Sequence, residues 1–380
     1  MSRFADRVLG IGIVWLIFGM AIAPSQKLYF QLLIPLLYLP ALYLIASRGQ
    51  DLWQLLRESP EFKLFTLLFL WAAVSMSWSV GIDVDRESRR LLFILLFVAG
   101  GALWSRRDPA RVVRTLLIGG CALAVCAFLA MALWPWRTPV FWGRMTAFCA
   151  LNHPIFAGYA MGAAAVWLLS CMPAGRLGKG LWLAAIVILA LFVVLTWSRG
   201  AIFALVVCLV LMPLLNRHWL SKWISLATIV GALVVVIGFH DHLLERGVSY
   251  RPEIFKGALA KIAEHPWLGV GKGTDYSLVA AGRVWPHSHN LFTHIGIELG
   301  VGALLVLLTL WALILVRGWR NRHAPLGQAL IGLWFFSTIA LQFDGARLWD
   351  APGPFWLLTW LPLVLCLTLS GASAAPRKLA

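Results

Sequence analysis

HDHLLERGVSYRPEIFKGALAKIAEHPWLGVGKG (residues 240–273) is the long polar segment of this sequence, and HSHNLFTHIGIELGVG (residues 287–302) follows it closely. On both sides of these two segments the chain consists mainly of apolar runs. A helix needs about 20 mainly apolar residues to span a membrane, and these runs repeatedly reach that length. The charges, histidines and glycines of the two segments are not needed for membrane solubility, so they are candidates for a chemical function.

The composition indicates a membrane protein. Of the 380 residues, 61% are hydrophobic and 13% are charged, whereas soluble domains carry roughly 25% charged residues. The apolar runs are continuous, which excludes a membrane β-barrel with its alternating segments of about ten residues. The sequence therefore predicts an all-α polytopic membrane protein.

The apolar runs predict about twelve transmembrane helices. Residues 1–239 hold the first nine, residues 240–288 form one large loop, and residues 289–380 hold the last three helices and a tail. The predicted spans are residues 8–24, 28–47, 62–80, 90–105, 112–135, 154–172, 180–197, 200–215, 221–239, 289–316, 325–343 and 353–371.

The basic residues of the loops predict the orientation. Alternate short loops are rich in Arg and Lys, as in residues 106–114, and such loops stay in the cytoplasm. Both termini are then cytoplasmic, and the loop of residues 240–288 lies outside. We attribute the net charge of +16 to this topology and expect no nucleic-acid partner.

The outer side also carries basic residues, although topology disfavours them there. Salt bridges to outer acids such as Asp85 and Glu253 explain part of this set, and an anionic ligand is the alternative. The outer basic residues are Arg86, Arg89, Arg90, Arg137, Arg144, Arg199, Arg246, Arg251, Lys256, Lys261, Lys272, Arg283 and Arg347.

Arg199, in LTWSRGA, is the most informative of these arginines. It lies near an outer helix end without a long loop beside it. At the bilayer centre an Arg costs roughly 2.5–3.5 kcal/mol on insertion scales, and less near the interface. Arg144, Asn152 and His153 precede another span, where Pro154 suits the first turn of the helix and Asn152 suits its cap.

The large loop contains a second kind of element. Apolar residues recur at helical spacing through Tyr250–Glu264, with Pro252 at the start and Pro266 beyond the end. This pattern predicts an amphipathic helix lying on the outer leaflet, with Arg251 at its start. The run Gly269–Gly273 lacks the phosphate-loop pattern, so we interpret it as a glycine-rich turn.

His287, His289 and Asn290 enter the next span. Histidine accepts a proton near neutral pH, and Asn290 suits a cap. An H-x-H pair without a third ligand is a weak metal signal, and the six cysteines all lie in or beside apolar runs. We therefore expect neither a metal nor another cofactor.

Arg144 with NHPIFAGY, LTWSRGA, YRPEIFKGAL with HPWLGVGKG, and HSHN with ELGVG occur in this order over residues 140–305. This series resembles the O-antigen ligase/polymerase superfamily. The single large outer loop resembles the ligases, since residues 135–153 are too short for a second large loop. One departure is that Gly300 and Gly302 are only two residues apart, where the superfamily commonly has Glu-Leu-Gly-x-x-Gly.

The resemblance implies a reaction in the inner membrane of a Gram-negative bacterium. A glycan passes from undecaprenyl diphosphate to a sugar hydroxyl of lipid A–core on the periplasmic side, without a metal, as in GT-C-type lipid-carrier glycosyltransferases. The expected acceptor of the hydroxyl proton is His289. The expected diphosphate ligands are Arg144, Arg199, Arg251, Arg86, Arg89 and Arg90, and the expected supporting residues are Asn290, His287, Asn152 and Arg246.

Two other interpretations stay open. An O-antigen polymerase or a protein O-oligosaccharyltransferase of the same superfamily differs in its acceptor, for which we find no signature. A transporter or flippase of an anionic lipid often shows internal repeats and polar residues at mid-membrane depth. We find no convincing repeat, and the charges gather on one side, which favours an enzyme.

Overall fold

The computed structural model describes residues 2–136, 143–215, 219–238, 250–345 and 347–372. Within these ranges the chain is mostly helical, and nine helices are long and apolar enough to cross a membrane. Two shorter apolar helices, Pro154–Leu168 and Arg199–Leu215, accompany them. This confirms a polytopic α-helical membrane protein, while the number of twelve spans stays a prediction.

The helices follow the apolar runs of the sequence. Two of them contain one π-helical turn each, at Trp15–Gly19 and at Ile34–Tyr38. The helices are α1 (Ser2–Val14, continuing through Met20–Ile22), α2 (Gln26–Leu33, continuing through Leu39–Ser47), α3 (Gly49–Glu58), α4 (Pro60–Ser75), α5 (Val84–Ser105), α6 (Pro109–Ala132), α7 (Pro154–Leu168), α8 (Arg176–Leu195), α9 (Arg199–Leu215), α10 (Trp219–Gly238), α11 (Arg251–Glu264), α12 (Leu291–Arg320), α13 (Pro325–Phe343), α14 (Pro354–Leu358) and α15 (Trp360–Ala372).

The connections gather at two ends of the helix bundle. At one end, Arg317 forms an ion pair with Glu61 at 2.9 Å, and Arg107 pairs with Asp51. At the other end, Arg90 pairs with Asp350 at 3.1 Å. The first two pairs join loops predicted to be cytoplasmic, and the third joins loops predicted to be outside.

The amphipathic helix of the large loop is present as α11. Ile254, Ala258 and Ile262 are buried and pack on Ile297 of α12. Because this row contacts the protein itself, the helix does not offer its whole apolar face to lipid. A second row, with Phe255 exposed by 46%, is not covered by this contact, and its position on the outer leaflet stays a prediction.

A β-hairpin that the sequence analysis did not predict follows α11. Strands β1 (Leu278–Ala280) and β2 (Arg283–Trp285) are antiparallel, and Leu278 pairs with Trp285. The two-residue turn at Ala281 and Gly282 has positive φ at both positions, as a type I′ turn requires. The apolar alternation is only three residues long on each strand, too short to stand out in the sequence.

The glycine-rich turn docks into a kink of α12. Gly269, Gly271 and Gly273 have positive φ, which confirms the predicted turn. Gly300 kinks α12 with φ 83° and ψ 173°, and a Cβ there would lie 2.3 Å from the Trp267 carbonyl oxygen. The first glycine of the ELGVG motif is therefore needed for close contact. A Cβ on Gly302 would meet open space.

Lys272 anchors this turn to the neighbouring helices. Its side chain is fully buried, and its Nζ donates to Glu87 of α5 at 2.5 Å. The Lys272 backbone N–H donates to Ser75 Oγ at 3.1 Å, and the Ser79 hydroxyl donates to the Lys272 carbonyl. The loop is thereby fixed on the bundle immediately after α11.

Candidate active site

A cavity of about 780 Å³ opens at the end of the bundle that is predicted to face outside. Its lining comes from segments far apart in the sequence and includes three arginines and one histidine. The lining residues are Arg144, Ile155, Tyr159, Trp197, Ser198, Arg199, Gly200, Arg251, Pro252, Phe255, Ser288, His289, Asn290, Gln342, Phe343 and Asp344. The structure thus brings together Arg144, Arg199, Arg251, His289 and Asn290, as predicted for the site.

Four helices begin at this cavity, namely α7, α9, α11 and α12, and each contributes residues of its first turn or its cap to the lining. The N-terminus of a helix presents free N–H groups and the positive end of the helix dipole, which favours an anion. Among the described residues, the lining contains three guanidinium groups and one carboxylate, so the cavity has the electrostatic character of an anion site.

Arg144 and Arg251 also engage the carbonyl groups at the C-termini that face the cavity. Arg144 Nε donates to the Thr196 carbonyl at the end of α8, at 2.9 Å. Arg251 donates to the Phe343 carbonyl at the end of α13, and its Cζ lies 5.6 Å from the Phe343 ring centroid. A guanidinium has five N–H donors in a fixed plane, so one such bond orients the whole group.

Arg199 is exposed to the cavity at the start of α9. Gly200 follows it, and a Cβ at Gly200 would lie 2.6 Å from Cβ of Phe343. The glycine therefore allows the start of α9 to approach the end of α13. The last two residues of the WSRG motif therefore have different roles: Gly200 allows the close contact between the helices, and Arg199 lines the cavity.

The charges of the cavity influence one another. Burial lowers the pKa of Arg251, the Asp344 carboxylate raises it, and Arg199 lowers it. An arginine whose ordinary pKa exceeds 12 remains positively charged at neutral pH. Arg199 and Arg251 are thus two like charges that an anionic ligand between them would stabilise.

His289 lies at the start of α12, where Asn290 caps the helix. Asn290 Oδ1 accepts from the N–H groups of Phe292 and Thr293 at 2.9 and 3.2 Å, which confirms the predicted cap. His289 has a left-handed backbone with φ 51°. Nδ1 of His289 contacts Asp344 Oδ1 at 3.2 Å and His287 Nε2 at 3.1 Å, so Nε2 is the nitrogen left for a ligand.

Asp344 is a site residue that the sequence analysis missed. Burial alone raises its pKa, but hydrogen bonds and the charges of His287 and His289 hold the pKa well below its ordinary value. The group is therefore a carboxylate, which favours the His289 tautomer with its proton on Nδ1. Its sequence signal was weak, namely one acid directly after the last apolar residue of a predicted span.

The same three residues have a spacing that a metal ion could use. One atom each of His287, His289 and Asp344 lies within 4.8 Å of the other two, and Asp344 supplies the third ligand that H-x-H lacks in the sequence. Catalytic zinc sites have three protein ligands and an open position. Hydrogen bonds among the three side chains account for the same distances, and the expectation of a metal-free reaction stays a prediction.

Arg86, Arg89 and Arg90 do not line the cavity. Arg90 contacts Glu87 at 2.8 Å and Asp350 at 3.1 Å. Arg86 contacts Glu87 at 3.4 Å, and Arg89 pairs with Asp85. These contacts favour the ion-paired start of α5 over donor binding for the three arginines.

The segment before α7 differs from the prediction in its cap. His153, and not Asn152, is the N-cap, since its Nδ1 accepts from the Ile155 N–H at 3.3 Å. Burial lowers the pKa of His153, Asp344 raises it and Arg144 lowers it. Asn152 is exposed and outside the lining, and Arg246 lies outside the described residues.

Comparison with known proteins gives two findings. The family model for O-antigen ligase matches residues 184–308, which include Arg199, Arg251 and His289. An O-antigen ligase of Pseudomonas aeruginosa is 26% identical over 367 residues, covering 95% of this chain and 90% of that protein. The two findings confirm the resemblance stated from the motifs, and the second extends it over nearly the whole chain.

Proposed function

We propose that this chain, as a member of the O-antigen ligase superfamily, is an enzyme of lipopolysaccharide biosynthesis. It transfers a glycan from undecaprenyl diphosphate to a sugar hydroxyl of lipid A–core. The enzyme is a multi-pass protein of a Gram-negative inner membrane with cytoplasmic termini, and the reaction occurs at its periplasmic face.

One observation carries this proposal: Arg144, Arg199, Arg251 and the His289–Asp344 pair meet in a single cavity. A diphosphate is a stable leaving group, so it needs fixed positive charge rather than a general acid. Guanidinium groups bind phosphate oxygens in pairs and thereby orient them. The acceptor hydroxyl needs a base, and His289 Nε2 is available beside the arginines.

The reaction is a single displacement. The acceptor oxygen forms a bond to the anomeric carbon as the bond from that carbon to the diphosphate breaks. The hydroxyl proton moves to His289 Nε2 while Asp344 stabilises the resulting imidazolium, and undecaprenyl diphosphate leaves as the anion held by the arginines. One displacement inverts the anomeric centre and requires no nucleophilic carboxylate.

The alternatives differ in what happens to the glycan. A polymerase lengthens the lipid-linked glycan, and a protein O-oligosaccharyltransferase modifies a polypeptide. A flippase moves the lipid without changing any bond. A cavity that holds a base beside the anion-binding arginines favours bond formation over transport.

The test is transfer by the purified, full-length protein in lipid nanodiscs. Undecaprenyl-diphosphate-linked glycan and lipid A–core are supplied with EDTA, and the linkage in the product is determined by NMR. We expect glycosylated lipid A–core with inverted configuration. Lengthened lipid-linked glycan alone would identify a polymerase, and activity that returns only with added zinc or magnesium would contradict the metal-free reaction.

A further inference from the structure

Three side chains form a cluster next to His289 that contributes nothing to the cavity lining. Trp285 of β2 meets the His289 ring edge-on, with ring centroids 5.8 Å apart. Tyr250 packs against Trp285 at 6.1 Å, and Arg283 Cζ lies 5.1 Å from the Tyr250 ring centroid. We refer to Tyr250, Arg283 and Trp285 as the aromatic corner.

The aromatic corner is held in place by the loop itself. Trp285 Nε1 donates to the Ala280 carbonyl at 3.1 Å, which fixes the indole across the hairpin. Leu278 and Ala280 of the facing strand pack on the buried row of α11. A binding surface with fixed side chains loses less conformational entropy when a ligand binds.

The aromatic corner is also open to the outside. Tyr250 is 42% exposed, and Arg283 is exposed. Among the residues that the structure describes, no carboxylate forms an ion pair with Arg283; its recorded contact is the Tyr250 ring. The corner thus combines two aromatic rings with a cation held in position beside them.

We infer that the aromatic corner is the subsite for an acceptor saccharide that carries an anionic group, either a phosphate or a carboxylate. The face of an aromatic ring carries partial negative charge and attracts the polarised C–H groups of a sugar ring. Arg283 pairs with the anionic group. Since Trp285 contacts His289, a sugar bound here has a hydroxyl close to the base, while the cavity arginines remain for the diphosphate.

This inference rests on the proposed function, so binding is measured separately from transfer. The probe is the phosphorylated oligosaccharide released from lipid A–core by deacylation, and its phosphatase-treated form is the second probe. Dissociation constants are measured by isothermal titration with the full-length protein in nanodiscs, without donor. Loss of affinity after phosphatase treatment identifies phosphate as the anion, whereas unchanged affinity together with weaker binding of both probes by Arg283→Gln identifies the carboxylate.

Variants locate the subsite. We expect Tyr250→Ala to weaken binding about threefold to tenfold and Tyr250→Phe to bind like wild type, because the ring is kept. If the anion is a phosphate, Arg283→Gln should remove the preference for the phosphorylated probe. If it is a carboxylate, Arg283→Gln should weaken the binding of both probes. Lys256→Gln and Trp267→Ala change an exposed cation and an exposed aromatic residue of the same loop, and they should leave binding unchanged.

The outcomes separate the two proposals. If wild-type protein binds neither probe, or if Tyr250→Ala and Arg283→Gln bind both like wild type, the inference is wrong. If binding depends on the aromatic corner but no acceptor is glycosylated, the saccharide subsite stands and the transfer reaction fails. If transfer occurs and the acceptor KM is the same in both variants, the transfer reaction stands and the subsite is wrong.

Discussion

Three residues in or beside the cavity lining have an unusual backbone conformation. Trp197, Tyr250 and His289 have φ values of 51°, 57° and 51°, in the left-handed region that non-glycine residues rarely adopt. Trp197 lies two residues before Arg199, and Tyr250 directly precedes Arg251. Strained conformations of this kind persist where the surrounding structure imposes them, and here they stand next to the side chains proposed for binding and catalysis.

The first prediction distinguishes donor binding by the charged arginines from proton transfer to His289. Replacing Arg199 or Arg251 with Ala should weaken donor binding about 10- to 100-fold, since a hydrogen bond to a charged group contributes about 1.5–3 kcal/mol. Lys should restore little, because it lacks the planar donor pair. His289→Ala should instead leave donor binding nearly intact and lower the transfer rate about 10²–10⁴-fold.

The measurement for these variants is donor affinity beside transfer rate, in protein shown to be folded and inserted. His287→Ala is the matched control, and it should have a smaller effect than His289→Ala because His287 lies outside the cavity lining. Normal transfer by His289→Ala, or a loss of donor binding equal to that of Arg199→Ala, would contradict the role of His289 as the base.

A second prediction concerns Asp344. Asp344→Asn keeps the volume of the side chain but removes the charge that stabilises the protonated His289 ring. The transfer rate should fall about 10²-fold or more, with donor affinity changed far less. A merely structural residue would lower the thermal stability and the rate together. If Asp344→Asn is as stable as wild type and transfers at the wild-type rate, the His289–Asp344 pair is not needed for catalysis.

At the scale of elements, one buried ion pair joins the large loop to α5. Glu87 retains Arg90 and Arg86 if Lys272 is replaced. Among the ion pairs of the described residues, Lys272 has Glu87 alone. Removing one partner of a buried pair costs about 3–5 kcal/mol because the other charge stays buried.

Glu87→Gln should therefore destabilise the protein by about 3–5 kcal/mol, and Lys272→Met should cost less. Thermal unfolding in detergent, followed by intrinsic fluorescence, compares the two variants. The double variant should be more stable than Glu87→Gln alone, since no charged lysine is left in the buried position. Equal losses in both single variants would show that Arg90 and Arg86 do not compensate Glu87 for the loss of Lys272, and no loss in either variant would show that the pair does not anchor the loop.

For the molecule as a whole, the proposed orientation places the two ends of the helix bundle on opposite sides of the membrane. Reporter fusions at Gly175 and Asn321 should report the cytoplasm, because both positions lie within loops rich in Arg and Lys. A fusion at Trp285 should report the periplasm. A cytoplasmic signal at Trp285 would reverse the orientation and remove the site from the periplasmic face.

Local sequence patterns were sufficient to predict most of the helices, their approximate bounds and the residues that carry charge. Apolar length and helix signals are local properties. These local signals therefore predict the spans, the turn at Gly269–Gly273, the helix start at Pro154 and the Asn290 cap. The ordered motifs also predicted the resemblance to the superfamily, because each motif combines a charged residue with the glycine or proline that its local backbone requires.

Which charged residues contact one another depends on how the helices pack. Arg144, Arg199, Arg251, His289 and Asp344 come from five segments, and no periodicity of the sequence records how helices pack against one another. The same packing gave Arg86, Arg89 and Arg90 acidic neighbours and placed Asp344 beside two histidines. Local sequence shows that a residue is charged, but its partner depends on distances across the bundle.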